Sequence, residues 1–90
     1  MGDSMSAFRT LSVIYLNDEA YEAVVNAIDE TIDMIRRSGM DALIRMEIDR
    51  FEISIRGDKK LDKLMEEIKR KLRESLGRLI EKGDVVIEED

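Results

Sequence analysis

The segment Asp41–Gly57, DALIRMEIDRFEISIRG, decides the fold. Ile44, Met46 and Ile48 alternate with charged residues, and after Asp49-Arg50 the residues Phe51, Ile53 and Ile55 resume the alternation. A period of two marks a strand with one buried face, and two such runs around a short break predict a β-hairpin. A loop at Asp49-Arg50 sets Ile48 beside Phe51, Met46 beside Ile53 and Ile44 beside Ile55, with all six on one face; a one-residue slip would scatter them. Asp49-Arg50 lacks the glycine of a tight primed turn, so the loop type stays open.

Helical patterns lie on both sides of the hairpin. Upstream, Tyr21, Val24, Val25, Ile28, Ile32 and Ile35 recur at helical spacing, with Asn17 as N-cap, Asp18 and Glu19 in the first turn, and Arg36, Arg37 and Gly39 at the end. Leu16 and Tyr21 stand where a hydrophobic staple would clamp the entry. Downstream, Gly57-Asp58 ends the strand and caps a second helix with the stripe Leu61, Leu64, Met65, Ile68, Leu72, Leu76, Leu79 and Ile80, closed by Gly83. At 1.5 Å per residue this helix reaches roughly 36 Å, longer than the strands require, so its end is expected to project beyond the sheet.

Phe8–Leu16, FRTLSVIYL, reads as a first strand with Leu11, Val13 and Tyr15 on one face. Its other face (Phe8, Thr10, Ser12, Ile14, Leu16) is more apolar than a solvated face normally is, so which face looks inward stays open. Asp84–Glu88, DVVIE, either adds a short last strand or trails as an acidic tail. The expectation is a single α+β domain over residues 8–88 after a flexible terminus, 1–7. It has a three- or four-stranded antiparallel sheet with two helices on one face, in the ferredoxin-like order β-α-β-β-α(-β).

Composition bounds the chemistry. Ninety residues suit one domain. The chain has no Cys and no His, which removes thiolate and imidazole metal sites, disulfides and the Ser-His and Cys-His hydrolase arrangements. Charged residues make up 40% of the chain and mix both signs, which fits a thermophile's cytoplasm or a designed protein. The net charge of −6 disfavours nonspecific binding to nucleic acid. No apolar run approaches the ~18 residues of a membrane span, and the start has no signal-peptide core, so a cytoplasmic location is expected.

The polar constellations favour surface roles. Glu47 and Glu52, the one pair of carboxylates that could meet across the hairpin, are flanked by Arg45 and Arg50 and read as a cross-strand charge ladder. Asp29 and Asp33 lack the further ligands of a calcium cage. Lys69-Arg70-Lys71-Leu72-Arg73 is compensated on a helix by Glu66 to Arg70, Glu67 to Lys71 and Glu74 to Arg78. Arg56-Gly57-Asp58-Lys59-Lys60 puts basic residues at a helix N-terminus but lacks the glycine spacing of a phosphate loop. No catalytic residue, cofactor site or metal site is expected.

Assembly is the positive signal. The small-residue flank Ala20, Ala23 and Ala27, the late apolar positions Leu76, Leu79 and Ile80, and the two-sided strand with Leu11, Val13 and Ile14 form the candidate partner-binding set. Edge pairing through the first strand would join two copies. The alternative for the small-residue flank is that the chain's own helices pack there. A second functional expectation is a ferredoxin-like module holding a small ligand or RNA between copies.

The chain also resembles a known family. Leu11-Ser12-Val13-Ile14-Tyr15-Leu16-Asn17-Asp18-Glu19-Ala20 is similar to the strand-to-helix junction of the Pcc-type small dimerising subunit of the KEOPS complex. Arg36-Arg37-Ser38, the strand Phe51-Glu52-Ile53-Ser54-Ile55 and the Leu64, Ile68, Leu72 spacing extend the resemblance over about residues 11 to 80. It departs where Met65 and Lys69 stand in place of the family's Arg and Asn, which suits a diverged paralogue. The resemblance implies a homo- or heterodimeric architectural subunit that offers its helices to a larger catalytic subunit placing threonylcarbamoyl on tRNA adenosine. Nucleic acid would then be met only indirectly.

Overall fold

The computed structural model describes residues 7–89. The flexible terminus expected over 1–7 therefore lies almost wholly outside the described residues. Six elements follow one another: β1 (Ala7–Tyr15), α1 (Asp18–Arg37), β2 (Asp41–Met46), β3 (Arg50–Gly57), α2 (Leu61–Lys82) and β4 (Val85–Glu89). The strands form one antiparallel sheet in the order β2-β3-β1-β4. Both helices lie on one face of it, completing the α+β, ferredoxin-like arrangement. The acidic segment after Gly83 is thus a strand and not a tail, and β1 lies in the middle of the sheet.

Alternation assigns the faces. Leu11 and Val13 on β1, Phe51, Ile53 and Ile55 on β3 and Val85 on β4 point into the core, where they meet Val24, Ile28 and Ile35 of α1 and Leu64, Met65, Ile68, Leu72 and Leu76 of α2. Each such side chain contributes about 1.5–3 kcal/mol when fully buried, and these six sheet residues fix the register of three strands at once. The opposite face of β1, with Phe8, Thr10, Ser12 and Ile14, carries no helix. On that face Ser12 is covered by its neighbours, and Thr10 shares a 3.0 Å hydroxyl hydrogen bond with Ser54 across the strands.

The helix termini follow their caps. Asn17 is extended, and its Oδ1 accepts from the Ala20 N–H at 2.8 Å. Leu16 is exposed, and Tyr21 turns inward to stack on Phe51, so the expected staple does not form. Gly39 and Gly83 follow the two helices with φ of 75° and 84°, the left-handed turn that lets the chain reverse into a strand. Asp58 does not cap α2 directly. Its Oδ1 accepts from the Lys60 N–H at 2.9 Å and its carbonyl from the Leu61 N–H, making a turn of its own before the helix begins at Leu61.

The hairpin differs from expectation in register. Met46 stands opposite Phe51, Ile44 opposite Ile53 and Ala42 opposite Ile55, two residues away from the expected pairing. A two-residue shift preserves which face each side chain takes, so alternation alone cannot detect it. The tip is instead held by β1. The Tyr15 N–H donates to the Asp49 carbonyl at 3.1 Å, while the Tyr15 hydroxyl reaches the Glu47 and Ile48 carbonyls at 3.4 and 3.3 Å. Ile48 is thereby placed in the loop, where it is 99% exposed.

Candidate contact surface

The nine residues expected to bind a partner do not gather into one surface. Leu11, Val13, Ala20, Ala27 and Leu76 are buried within the chain's own core, so they offer no area to another molecule. β1 lies between β3 and β4, and β4 covers its second side from Leu11 to Tyr15, which includes all three residues expected to pair at an edge, Leu11, Val13 and Ile14. Expecting β1 at an edge fails because β4 occupies that position.

Ala23 is half-buried on the side of α1 that faces α2. On the same side, the Ser75 hydroxyl lies 3.3 Å from a Glu30 carboxylate oxygen, and Met34 lines a hollow with Glu67, Arg70, Lys71 and Glu74 of α2. The small-residue flank therefore serves the chain's own helix pair. Ile14 is half-buried on the helix-free face beside Arg50 and Val86, while Leu79 and Ile80 are half-buried against the core at the far end of α2. Those three retain exposed area but lie on different parts of the molecule.

A different surface stands out at β2. None of its residues is fully buried; Leu43 is 60% and Met46 67% exposed, and Ile48 follows at the hairpin tip. Ala42, Ile44 and Met46 face the helix side of the sheet, and Leu43 faces the open side, so the strand is apolar on both faces. One signal for this was present in the sequence: Leu43 is apolar at a position where the alternation calls for a charge. Next to β2, Tyr21, Val25 and Ile32 form the half-buried flank of α1 turned away from α2. Apolar side chains thus continue from that flank onto β2 and its tip.

The open sheet face is mainly polar. Arg45 sits between the two carboxylates singled out by the hairpin, 3.2 Å from Glu47 and 3.8 Å from Glu52, which makes the pair a charge ladder. Arg50 turns to its neighbour Asp49, with hydrogen bonds of 3.1 and 3.2 Å that hold the Asp49 carboxyl below its usual range. Phe8 is exposed, with the Arg56 guanidinium 5.8 Å from its ring centre, and the two share a shallow hollow with Asp41, Ala42, Leu43 and Ser54. On the helix side, Arg37, Ser38, Met40, Lys60, Lys63, Leu64 and Glu67 line an open cleft of about 470 Å³.

The opposite edge of the sheet is tied down by charge. The Glu89 carboxylate on β4 takes Arg9 and Lys69, both at 2.5 Å, and Arg9 also reaches Asp62 at 2.8 Å. The Arg9 hydrogen bond, followed by that of Lys69, holds the Glu89 carboxyl down to about 2. Lys69 lies 3.6 Å from Glu66 as well. On α2 it is this pair, and not the three expected four-residue pairs, that forms among the described residues. No helix among the described residues is long and apolar enough to cross a membrane, and none of their acidic side chains cluster as a metal site. Protein-family models and curated proteins contain no match to this chain.

Proposed function

We infer that this chain is a non-catalytic, dimerising subunit that gives shape to a protein assembly in the cytoplasm. The observation that carries the reading is the side at β2, where Leu43, Met46 and Ile48 are exposed next to a strand edge that pairs with no other strand among the described residues. A single chain leaves apolar side chains and open strand backbone together at a cost in solubility, which contact with another protein relieves.

The resemblance to the small dimerising KEOPS subunit supports a finer form. There, the larger partner is the catalytic subunit that modifies tRNA, and α2 with its half-buried Leu79 and Ile80 is the surface offered to it. Affinity capture of the full chain from its native cell, with mass spectrometry, tests this. Recovery of that catalytic subunit in fixed proportion is the expected result, and recovery of the chain without any KEOPS component would remove the reading.

A second reading has its own observation. Phe8 is exposed on the open face beside Arg56, and an aromatic ring flanked by arginine is a stacking platform for a nucleobase or a planar ligand. A fluorescence titration with single-stranded RNA at two salt concentrations separates it from the first. Salt-sensitive binding lost in Phe8→Ala supports the module, and no binding at either concentration ends it.

A further inference from the structure

We propose that the free edge of β2 pairs antiparallel with β2 of a second copy about a two-fold axis at Leu43, joining two four-stranded sheets into one of eight. The inference rests on the reading of this chain as a dimerising subunit and names the surface and register by which it does so.

Backbone polarity comes first. The Glu47 N–H donates to the Arg50 carbonyl at 2.8 Å across the hairpin. Along an antiparallel strand, residues that bond to a given neighbour alternate, so Arg45, Leu43 and Asp41 also direct their backbone groups to β3. Ala42, Ile44 and Met46 direct theirs to the free edge. Pairing with a copy must therefore match outward residues with outward residues, which allows two-fold axes at Ala42, Leu43 or Ile44 within the strand.

Charge selects among the three. With the axis at Ile44, Asp41 stands opposite Glu47 of the second copy, and like charges directly opposed are unfavourable. With the axis at Ala42, Arg45 falls opposite Gly39 beyond the strand. With the axis at Leu43, Asp41 stands opposite Arg45 of the second copy and Arg45 opposite its Asp41, giving two complementary pairs. Asp41 has no ion-pair partner among the described residues, and Arg45, which sits between Glu47 and Glu52, keeps an exposed guanidinium that Asp41 of the second copy would add to.

The apolar side chains follow the same register. Leu43 meets Leu43 of the second copy on the open face. On the helix side Ala42 meets Ile44, and Met46 meets Met40. An axis normal to the sheet keeps both helix layers on one side, so the half-buried Val25 and Ile32 of α1 face their counterparts across the join. β2 pairs with β3 without a bulge and contains neither proline nor lysine, so it lacks common devices that block edge pairing. β4 differs in being fastened by charge, since its Glu89 is held by Arg9 and Lys69.

Sedimentation equilibrium of the full chain over a range of concentrations tests the proposal, with circular dichroism confirming that each variant is folded. The wild type is expected to dimerise, with Asp41→Arg and Arg45→Asp each weakening association about tenfold by opposing like charges twice. An equimolar mixture of those two variants recovers both opposite-charge pairs and the wild-type affinity. In this Cys-free chain, Leu43→Cys is expected to form an interchain disulfide faster than Glu88→Cys, since facing Cα atoms at such a site lie about 4.5 Å apart. A wild type that stays monomeric at the highest concentration overturns the proposal. So does a dimer indifferent to the charge variants, or a mixture that fails to recover; a dimer of that kind leaves the dimerising-subunit reading standing and removes only this edge.

Discussion

The two edges of the sheet solve the same problem differently. β4 is short, begins with the buried Val85, ends in acids, and is fastened to β1 and α2 by one carboxylate shared between Arg9 and Lys69. β2 is likewise unpaired along its outer side among the described residues, but it has no fully buried residue and exposes Leu43 and Met46. Charge and helix cover close the first edge; only contact from outside would close the second. An open sheet of this topology always has two edges, and here the sequence protects one of them.

The largest effect expected from that contrast lies in the packing. Leu11→Ala on β1, where both neighbouring strands and the helices enclose the side chain, should cost about 3 kcal/mol in urea denaturation. Ile44→Ala on β2, half-buried under α1, should cost about 1 kcal/mol when measured on dilute protein. Equal losses would mean that the β2 side is as enclosed as the sheet centre, and the contrast would break.

Next comes the charge that closes β4. The folded Glu89 carboxyl is held to about 2 against an ordinary 4.5, so its contribution is fully present above pH 4.5 and is lost as pH falls towards 2. Because the group is partly exposed and screened, Glu89→Gln should cost about 1 kcal/mol at pH 7. The difference between wild type and variant should vanish near pH 2. A difference that persists there would show that Glu89 acts through its shape and not its charge.

Much of this was legible in the residues because it rests on periodicity and caps. Alternation over Ile44–Ile55 gave the hairpin and its buried face, and Asn17, Gly39 and Gly83 marked helix ends where the chain does turn. What periodicity leaves open is anything it is symmetric to. A two-residue shift keeps every side chain on its face, and the hairpin register is held by Tyr15, which is distant in sequence. The central place of β1 hinged on whether five residues after Gly83 formed a strand, and their acidity argued equally for a tail. Leu11 and Val13 stand on one face of a strand that is apolar on both, and alternation alone does not say which face the helices cover.

Tyr15 offers a smaller test at the β2 end. Its hydroxyl makes two long hydrogen bonds to the hairpin tip, and burial raises its pKa above 10.0, so the neutral phenol is the form that the fold favours. Its contribution should hold below pH 10 and fall as the pH rises through that raised value. Tyr15→Phe keeps the ring packed on Tyr21 and Phe51, and should cost about 0.5–1 kcal/mol. Faster amide exchange confined to residues 46–50 would identify the tip as the part that loosens; exchange spread over the whole sheet would contradict that.

The smallest effect is the most informative about the open edge. Ile48 is almost wholly exposed at the tip, so Ile48→Asn removes no buried area from the single chain and should change its stability by less than about 0.5 kcal/mol. Asparagine also suits a turn better than a β-branched residue does, which pushes the small change towards stabilisation. An exposed isoleucine that the fold does not need adds apolar area to the β2 side, which is the side proposed for contact. The same substitution should therefore weaken capture of a partner seated at the hairpin tip while leaving denaturation of dilute protein unchanged. If it instead destabilises dilute protein by more than 1 kcal/mol, Ile48 belongs to the fold, and the β2 side is less open than its exposed residues indicate.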